Sequence, residues 1–198
     1  MNRYSSWSDH YCYPDSLVLI NRYNIRDSKQ LEEAERSVTA LTVQNIRLSH
    51  PPFSLDTLHD IHRTLFAELY AWAGEIRDIA ISKGNTRFCQ PIFITREAAR
   101  LFKKMESESW LHGLTHSEFC KKMSWYYGEL NIIHPYREGN GRSLRVLFEH
   151  IALNADFLID WTGLNVDDWL AANIAAYEKG PEALNELLQD HVFIIDKA

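Results

Sequence analysis

The sequence predicts a mostly helical domain (all-α class) carrying one inserted β-hairpin flap. Three observations lead there. Apolar residues recur at helical spacing along most of the chain, and Gly and Pro number only eight and six in 198 residues. The one stretch that breaks the helical period surrounds a turn signal at Gly84-Asn85. With 45% apolar residues the chain has enough core for one globular domain, spanning residues 1–198.

Taken in order, residues 1–27 read as an ordered, irregular arm, with Tyr11, Tyr13, Pro14 and Asn21 as its anchors. Leu31, Ala34, Val38, Leu41 and Leu48 mark a first helix that Pro51-Pro52 ends. Ser54 caps a second, whose buried stripe is Leu55, Leu58, Ile61, Leu65, Leu69 and Trp72. Residues 75–94 form the flap, with Ile79, Ile81, Phe88, Ile92 and Phe93 around the turn. A helix follows from Thr95 to about Met105. Thr115 and Glu118 form a capping box that opens a helix carrying Phe119, Met123, Tyr126, Leu130 and Ile133. Pro135 stops it near His134. The next helix starts near Gly141 with Leu144, Leu147 and Ile151, another opens at Asn165 and Asp168, and the last begins near Pro181.

Composition excludes several functions. The net charge is -6, with no run of Lys and Arg, so direct nucleic-acid binding is not expected. No apolar run has membrane-spanning length, and the start, MNRYSSWSDHY, has no apolar signal core. Cys12, Cys89 and Cys120 fit neither a disulfide framework nor a zinc pattern and read as buried free thiols. The expectation is a soluble, cytoplasmic protein. His59 and His62 are three apart on a helix, but no third ligand accompanies them, so they read as partly buried or surface histidines. Trp125-Tyr126-Tyr127 and Trp161 read as core.

Residues 134–145, His-Pro-Tyr-Arg-Glu-Gly-Asn-Gly-Arg-Ser-Leu-Arg, lie between two helices and concentrate chemistry. Gly139 and Gly141 let backbone N–H groups approach an anion at a helix N-terminus. Asn140 tolerates a left-handed conformation and can donate to phosphate. Arg142 and Arg145 share a helix face and offer two guanidinium forks to distal phosphates. Glu138 is a hard oxygen ligand for Mg²⁺ beside them, and His134 is the proton acceptor suited to neutral pH.

This segment resembles the Fic motif, HPFx(D/E)GN(G/K)RxxR, at every defined position except Tyr136, where Phe is usual. Trp72-Ala73-Gly74-Glu75-Ile76-Arg77 is similar to the family's segment before the flap, and the arm is similar to the N-terminus of bacterial Fic toxins. The resemblance implies a protein adenylyltransferase that uses ATP and Mg²⁺ to place AMP on a Tyr, Ser or Thr hydroxyl. It makes His134 the base and Glu138 the Mg²⁺ ligand. Gly139, Asn140, Gly141, Arg142 and Arg145 become the nucleotide-binding set. The flap, through Ile79, Ile81, Lys83, Asn85, Arg87 and Phe88, would hold the target by strand-like pairing.

Gly141 is the form associated with AMP transfer, whereas Lys there accompanies reversed ATP and phosphate transfer. Another phosphate-containing group, or a silent nucleotide-binding module with a Fic fold, are the alternatives. The inhibitory (S/T)xxxE(G/N) pattern is absent from the sequence. The resemblance therefore implies a toxin checked by a separate small antitoxin, whose Glu contacts Arg145. It also suggests DNA gyrase and topoisomerase IV ATPase subunits as targets. Asp156 stands where relatives often have Gly after the motif helix.

Overall fold

A computed structural model describes residues 9–195. Residues 1–8 of the expected arm therefore lie outside the described residues. Helices α1 (Ser28–Thr42), α2 (Leu55–Phe66), α3 (Pro91–Ser107), α4 (His116–Ile133), α5 (Asn140–Asn154), α6 (Val166–Glu178) and α7 (Glu182–His191) build the domain. The hairpin strands β1 (Ser82–Lys83) and β2 (Thr86–Arg87) lie between α2 and α3. Strands β3 (Phe157–Ile159) and β4 (Val192–Ile194) form a second antiparallel pair.

Helix starts follow side-chain capping. Asp27 accepts from the Lys29 and Gln30 amides, and Asn165 accepts from those of Asp167 and Asp168. Ser54 with Thr57, and Thr115 with Glu118, close reciprocal capping boxes. Helix α4 is the centre of the domain, with α3, α5, α6 and α7 packed on it. That position explains why it buries more than one face: Cys120 and Tyr127 are buried as well as Phe119, Met123, Tyr126 and Leu130. The expected core role of Tyr126 and Tyr127 holds. Helix α2 packs between α1 and α5, which brings its buried stripe under the loop before α5.

Several boundaries differ from the sequence expectation. Helix α1 ends at Thr42, and Leu48 lies beyond it, 44% exposed. Helix α2 ends at Phe66, so Leu69 is buried from a turn. Helix α3 starts at Pro91 rather than Thr95, because Pro suits the first helical position, whose amide needs no partner. Ile92 and Phe93 thus belong to a helix, and the flap closes by Gln90. The β3–β4 pair, in register Phe157↔Ile194, was not foreseen. Asp156 adopts φ 66°, the left-handed conformation that Gly would take without strain. Cys12 and Cys120 are buried free thiols, while Cys89 is partly exposed. No helix among the described residues is long and apolar enough to cross a membrane.

His62, fully buried on α2, accepts a hydrogen bond on Nδ1 from the Gly74 amide at 2.8 Å. Its Nε2 is therefore the protonated nitrogen, and it donates to the Glu138 carbonyl at 2.9 Å. Both bonds suit the neutral ring, and burial pushes its pKa down to about 3. Both ring nitrogens of His62 are thus bonded to backbone groups, and the residue is fully buried where the sequence reading had it partly buried or at the surface.

Two outcomes follow from these contacts. Thr115→Ala should lower unfolding stability by about 1 kcal/mol, against about 2–5 kcal/mol for Leu130→Ala in the core. Urea melts of the two variants check the order. Below the ordinary His pKa the unfolded chain gains a proton that folded His62 refuses, so stability should fall as pH drops from about 6.5 toward 3. Urea midpoints at pH 7.5, 6.5 and 5.5 measure this, and His62→Gln should give a shallower decline.

Candidate active site

Pro135 forces the end of α4, and His134 takes a left-handed conformation at φ 48° and ψ 62°. A non-glycine residue there is strained. His134 Nδ1 donates to the Asn131 carbonyl at 2.8 Å, so the lone pair lies on Nε2. Phe88 of the flap stacks on the ring at 3.8 Å. Burial is the main force pushing the pKa of His134 down, to about 3. The ring is a neutral proton acceptor at physiological pH, and an anionic triphosphate nearby would raise its affinity for a proton.

The loop between His134 and α5 is held by its own side chains. Tyr136 is fully buried, stacks on His62 at 3.8 Å, and shares a hydrogen bond with His59 Nδ1 at 2.8 Å. The hydroxyl that distinguishes it from Phe thus has its partner. Asn140 Oδ1 accepts from the Tyr136 amide at 2.9 Å, and its Nδ2 donates to the Tyr136 carbonyl at 2.8 Å. The Asn140 side chain therefore braces the loop rather than reaching toward a phosphate, and Asn140 is already helical. Gly139 takes the left-handed conformation instead, at φ 82°. A Cβ on Gly139 would lie 2.4 Å from the Phe66 ring, so only Gly fits. Gly141 has open space around it. Arg137, 3% exposed, bonds Asp9 at 2.9 and 2.5 Å and ties the N-terminal arm to the loop.

Helix α5 begins without a side-chain cap. Its first-turn N–H groups and dipole make an anion site of the kind phosphates occupy. Around it stand Glu138, whose Oε1 accepts from the Gly139 amide at 3.0 Å, and the half-buried Arg142 and Arg145. Glu138 is 16% exposed in its side chain and sits beside the helix start. A lone carboxylate next to a phosphate site fits Mg²⁺, which is commonly held by one or two carboxylates plus substrate phosphates.

The flap is fixed by a residue to which the sequence assigned no role. Arg77 is 1% exposed. Its guanidinium donates to the carbonyls of His134 at 2.8 Å, Ile79 at 2.6 Å and Cys89 at 2.5 Å. Its amide donates to the Pro135 carbonyl at 2.9 Å, and the Cys89 amide to Ile132 at 3.0 Å. Both ends of the flap are thereby bound to the end of α4. The signal was an arginine set between Ile76 and Ile79.

Of the six expected flap residues, Lys83, Asn85 and Arg87 are exposed at the tip, and Ile79 is half-buried. Ile81 and Phe88 face inward. A cavity of about 420 Å³ opens beside His134 between the flap and α6, walled by Phe88, Asn131, Trp169, Leu170 and Asn173. The α6 residues were missed because their spacing reads as an ordinary amphipathic helix.

Residues 52–152 match the sequence model of the Fic/DOC family. The Salmonella typhimurium protein named "Probable protein adenylyltransferase Fic" is 35% identical over 188 residues, covering 95% of this chain and 94% of that one. The protein adenylyltransferase VbhT of Bartonella schoenbuchensis is 32% identical over 96% of this chain and 40% of its own length. Among solved structures, BepC of Bartonella tribocorum with bound AMPPNP superposes with a TM-score of 0.86 at 26% identity, covering 94% of this chain and 97% of that chain. The N-terminal Fic domain of a Bartonella quintana effector with bound ADP gives 0.86 at 27% identity, covering 94% and 95%. By matched family, relatives and shared fold, with His134 and the uncapped α5 start in place, this chain belongs to the Fic/DOC family.

Proposed function

We infer that this chain is a protein adenylyltransferase that moves AMP from ATP to a Tyr, Ser or Thr hydroxyl of another protein. The observation that carries the reading is the placement of the His134 ring, held by Asn131 and Phe88, beside the uncapped start of α5. Nε2 of His134 takes the hydroxyl proton as the oxygen attacks the α-phosphorus. The bond from that phosphorus to the α,β-bridging oxygen breaks, and pyrophosphate leaves with the electron pair. The first-turn amides of Asn140 and Gly141 would face the developing charge, joined by that of Gly139 once Glu138 turns to the metal, and Arg142 and Arg145 would hold the distal phosphates. Mg²⁺ on Glu138 would neutralise charge between the α- and β-phosphates. The cavity between flap and α6, walled by Phe88, Trp169, Leu170 and Asn173, is where the nucleoside would sit. The relatives with bound AMPPNP and ADP support a nucleotide in this fold.

The reading extends to a toxin acting in the cytoplasm on DNA gyrase or topoisomerase IV ATPase subunits, with its target segment laid along the flap. A small antitoxin would restrain it by placing a Glu on Arg145. Arg145 lines a surface groove together with Arg36, Arg142, Glu149, Val146 and Trp161, which is where such a Glu would reach it.

Intact-mass measurement of gyrase B subunit or bacterial lysate proteins, after incubation with the enzyme, ATP and Mg²⁺, should show the gain of one AMP. His134→Ala should lower the rate by roughly 10²–10⁴-fold. A phosphate-sized gain would mean that ATP binds reversed, and an unchanged rate in His134→Ala would remove the base from the mechanism.

A further inference from the structure

Helix α1 turns Leu31, Ala34 and Val38 toward the core, and Glu35 falls on the same face. The residue is 2% exposed. A carboxylate buried that deeply is strongly unfavourable unless it is paired and hydrogen-bonded. Its partners lead to the anion site. Tyr70, itself buried and stacked on Trp72 at 4.5 Å, donates its hydroxyl to Glu35 Oε1. Arg142 Nη2 donates to Glu35 Oε2 at 2.7 Å. The Arg142 guanidinium lies over the Phe66 ring at 4.7 Å.

The carboxylate nearest in sequence holds this arginine only loosely. Glu138 lies just before α5, and its Oε1 makes an ion pair with the same Arg142 Nη2 at 3.8 Å, beyond hydrogen-bonding distance. Glu35 therefore decides where the guanidinium points.

We propose that Glu35 is a positioning residue for the transfer reaction: it takes the close hydrogen bond of Arg142, leaves Glu138 only the looser ion pair, and so aims the fork at the nucleotide phosphates. The proposal rests on the reading of Arg142 as a phosphate-gripping residue. Arginine has five N–H donors on two edges, so a pairing with one carboxylate oxygen leaves donors for a phosphate. Holding the long side chain in one rotamer removes the entropy that binding would otherwise cost. Glu138 stays available to a metal ion. Through Tyr70 and Trp72 the same line of contacts joins the segment before the flap to the anion site.

The test is a double-mutant cycle on the full chain. The initial rate of AMP incorporation from α-labelled ATP into lysate protein is measured at varied ATP with Mg²⁺, beside thermal midpoints. Glu35→Gln keeps the side-chain volume and should lower kcat by about 10–100-fold, the scale of a misplaced catalytic geometry. KM for ATP should stay level or fall, because the site loses a negative charge. In an Arg142→Ala background, Glu35→Gln should cost nothing more. Tyr70→Phe should give a smaller loss of the same kind, and it decides the matter alone if Glu35→Gln does not fold. An unchanged kcat, or a loss that persists in the Arg142→Ala background, overturns the proposal while leaving the Arg142 reading intact. Full activity in Arg142→Ala overturns both.

Discussion

A buried guanidinium holds this fold and its site together. Arg77 sits at the C-terminal end of α4, where the carbonyls of Ile133 and His134 lack helical partners and the helix dipole is negative. A cation suits that end of a helix, and carbonyl dipoles from Ile79 and Cys89 add to it. Taking a charge out of water costs several kcal/mol, so it stays buried only where geometry returns that energy through well-aligned hydrogen bonds. Here the bonds do more than compensate. Their acceptors come from the helix end that carries His134 and from both ends of the flap, so the three segments share one anchor.

The site inherits its order from that anchor. His134 is strained, and strain persists only where its surroundings over-determine it. Arg77 fixes its carbonyl, Asn131 its ring nitrogen and Phe88 its face. On the far side of the loop, the neutral His62 ring supports the Glu138 carbonyl, and Phe66 closes against Gly139. The loop thus reaches α5 in a fixed path, which leaves the start of α5 without a side-chain cap.

Much of this was legible in the sequence, and what was not has a physical reason. The cap at Ser54, the capping box at Thr115 and the stop before Pro135 depend on neighbours a few residues apart, and they were read correctly. The start of a helix near Gly141 was likewise read to within a residue. The pairing of β3 with β4 joins residues far apart in the chain, and strands of three residues carry little periodicity. Glu35 and Arg77 were passed over for another reason. Glu35 is a charge on an otherwise apolar helix face and Arg77 a charge in an irregular loop, and the partners of each lie on other elements. The Asn140 amide shows the limit of reading residue by residue: its chemistry suited a phosphate, while the structure spends both of its groups on the Tyr136 peptide.

The central claim is that Arg77 makes the flap and the end of α4 one cooperative unit. Native-state hydrogen exchange read amide by amide tests it, comparing the protein with an Arg77→Met variant of similar side-chain length. The informative amides are those of position 77, bonded to Pro135, and of Cys89, bonded to Ile132. The account predicts that both lose protection together in the variant, while the middle of α4 around Met123 keeps its own. Unchanged protection at both sites, with the flap still closed on His134, would contradict it.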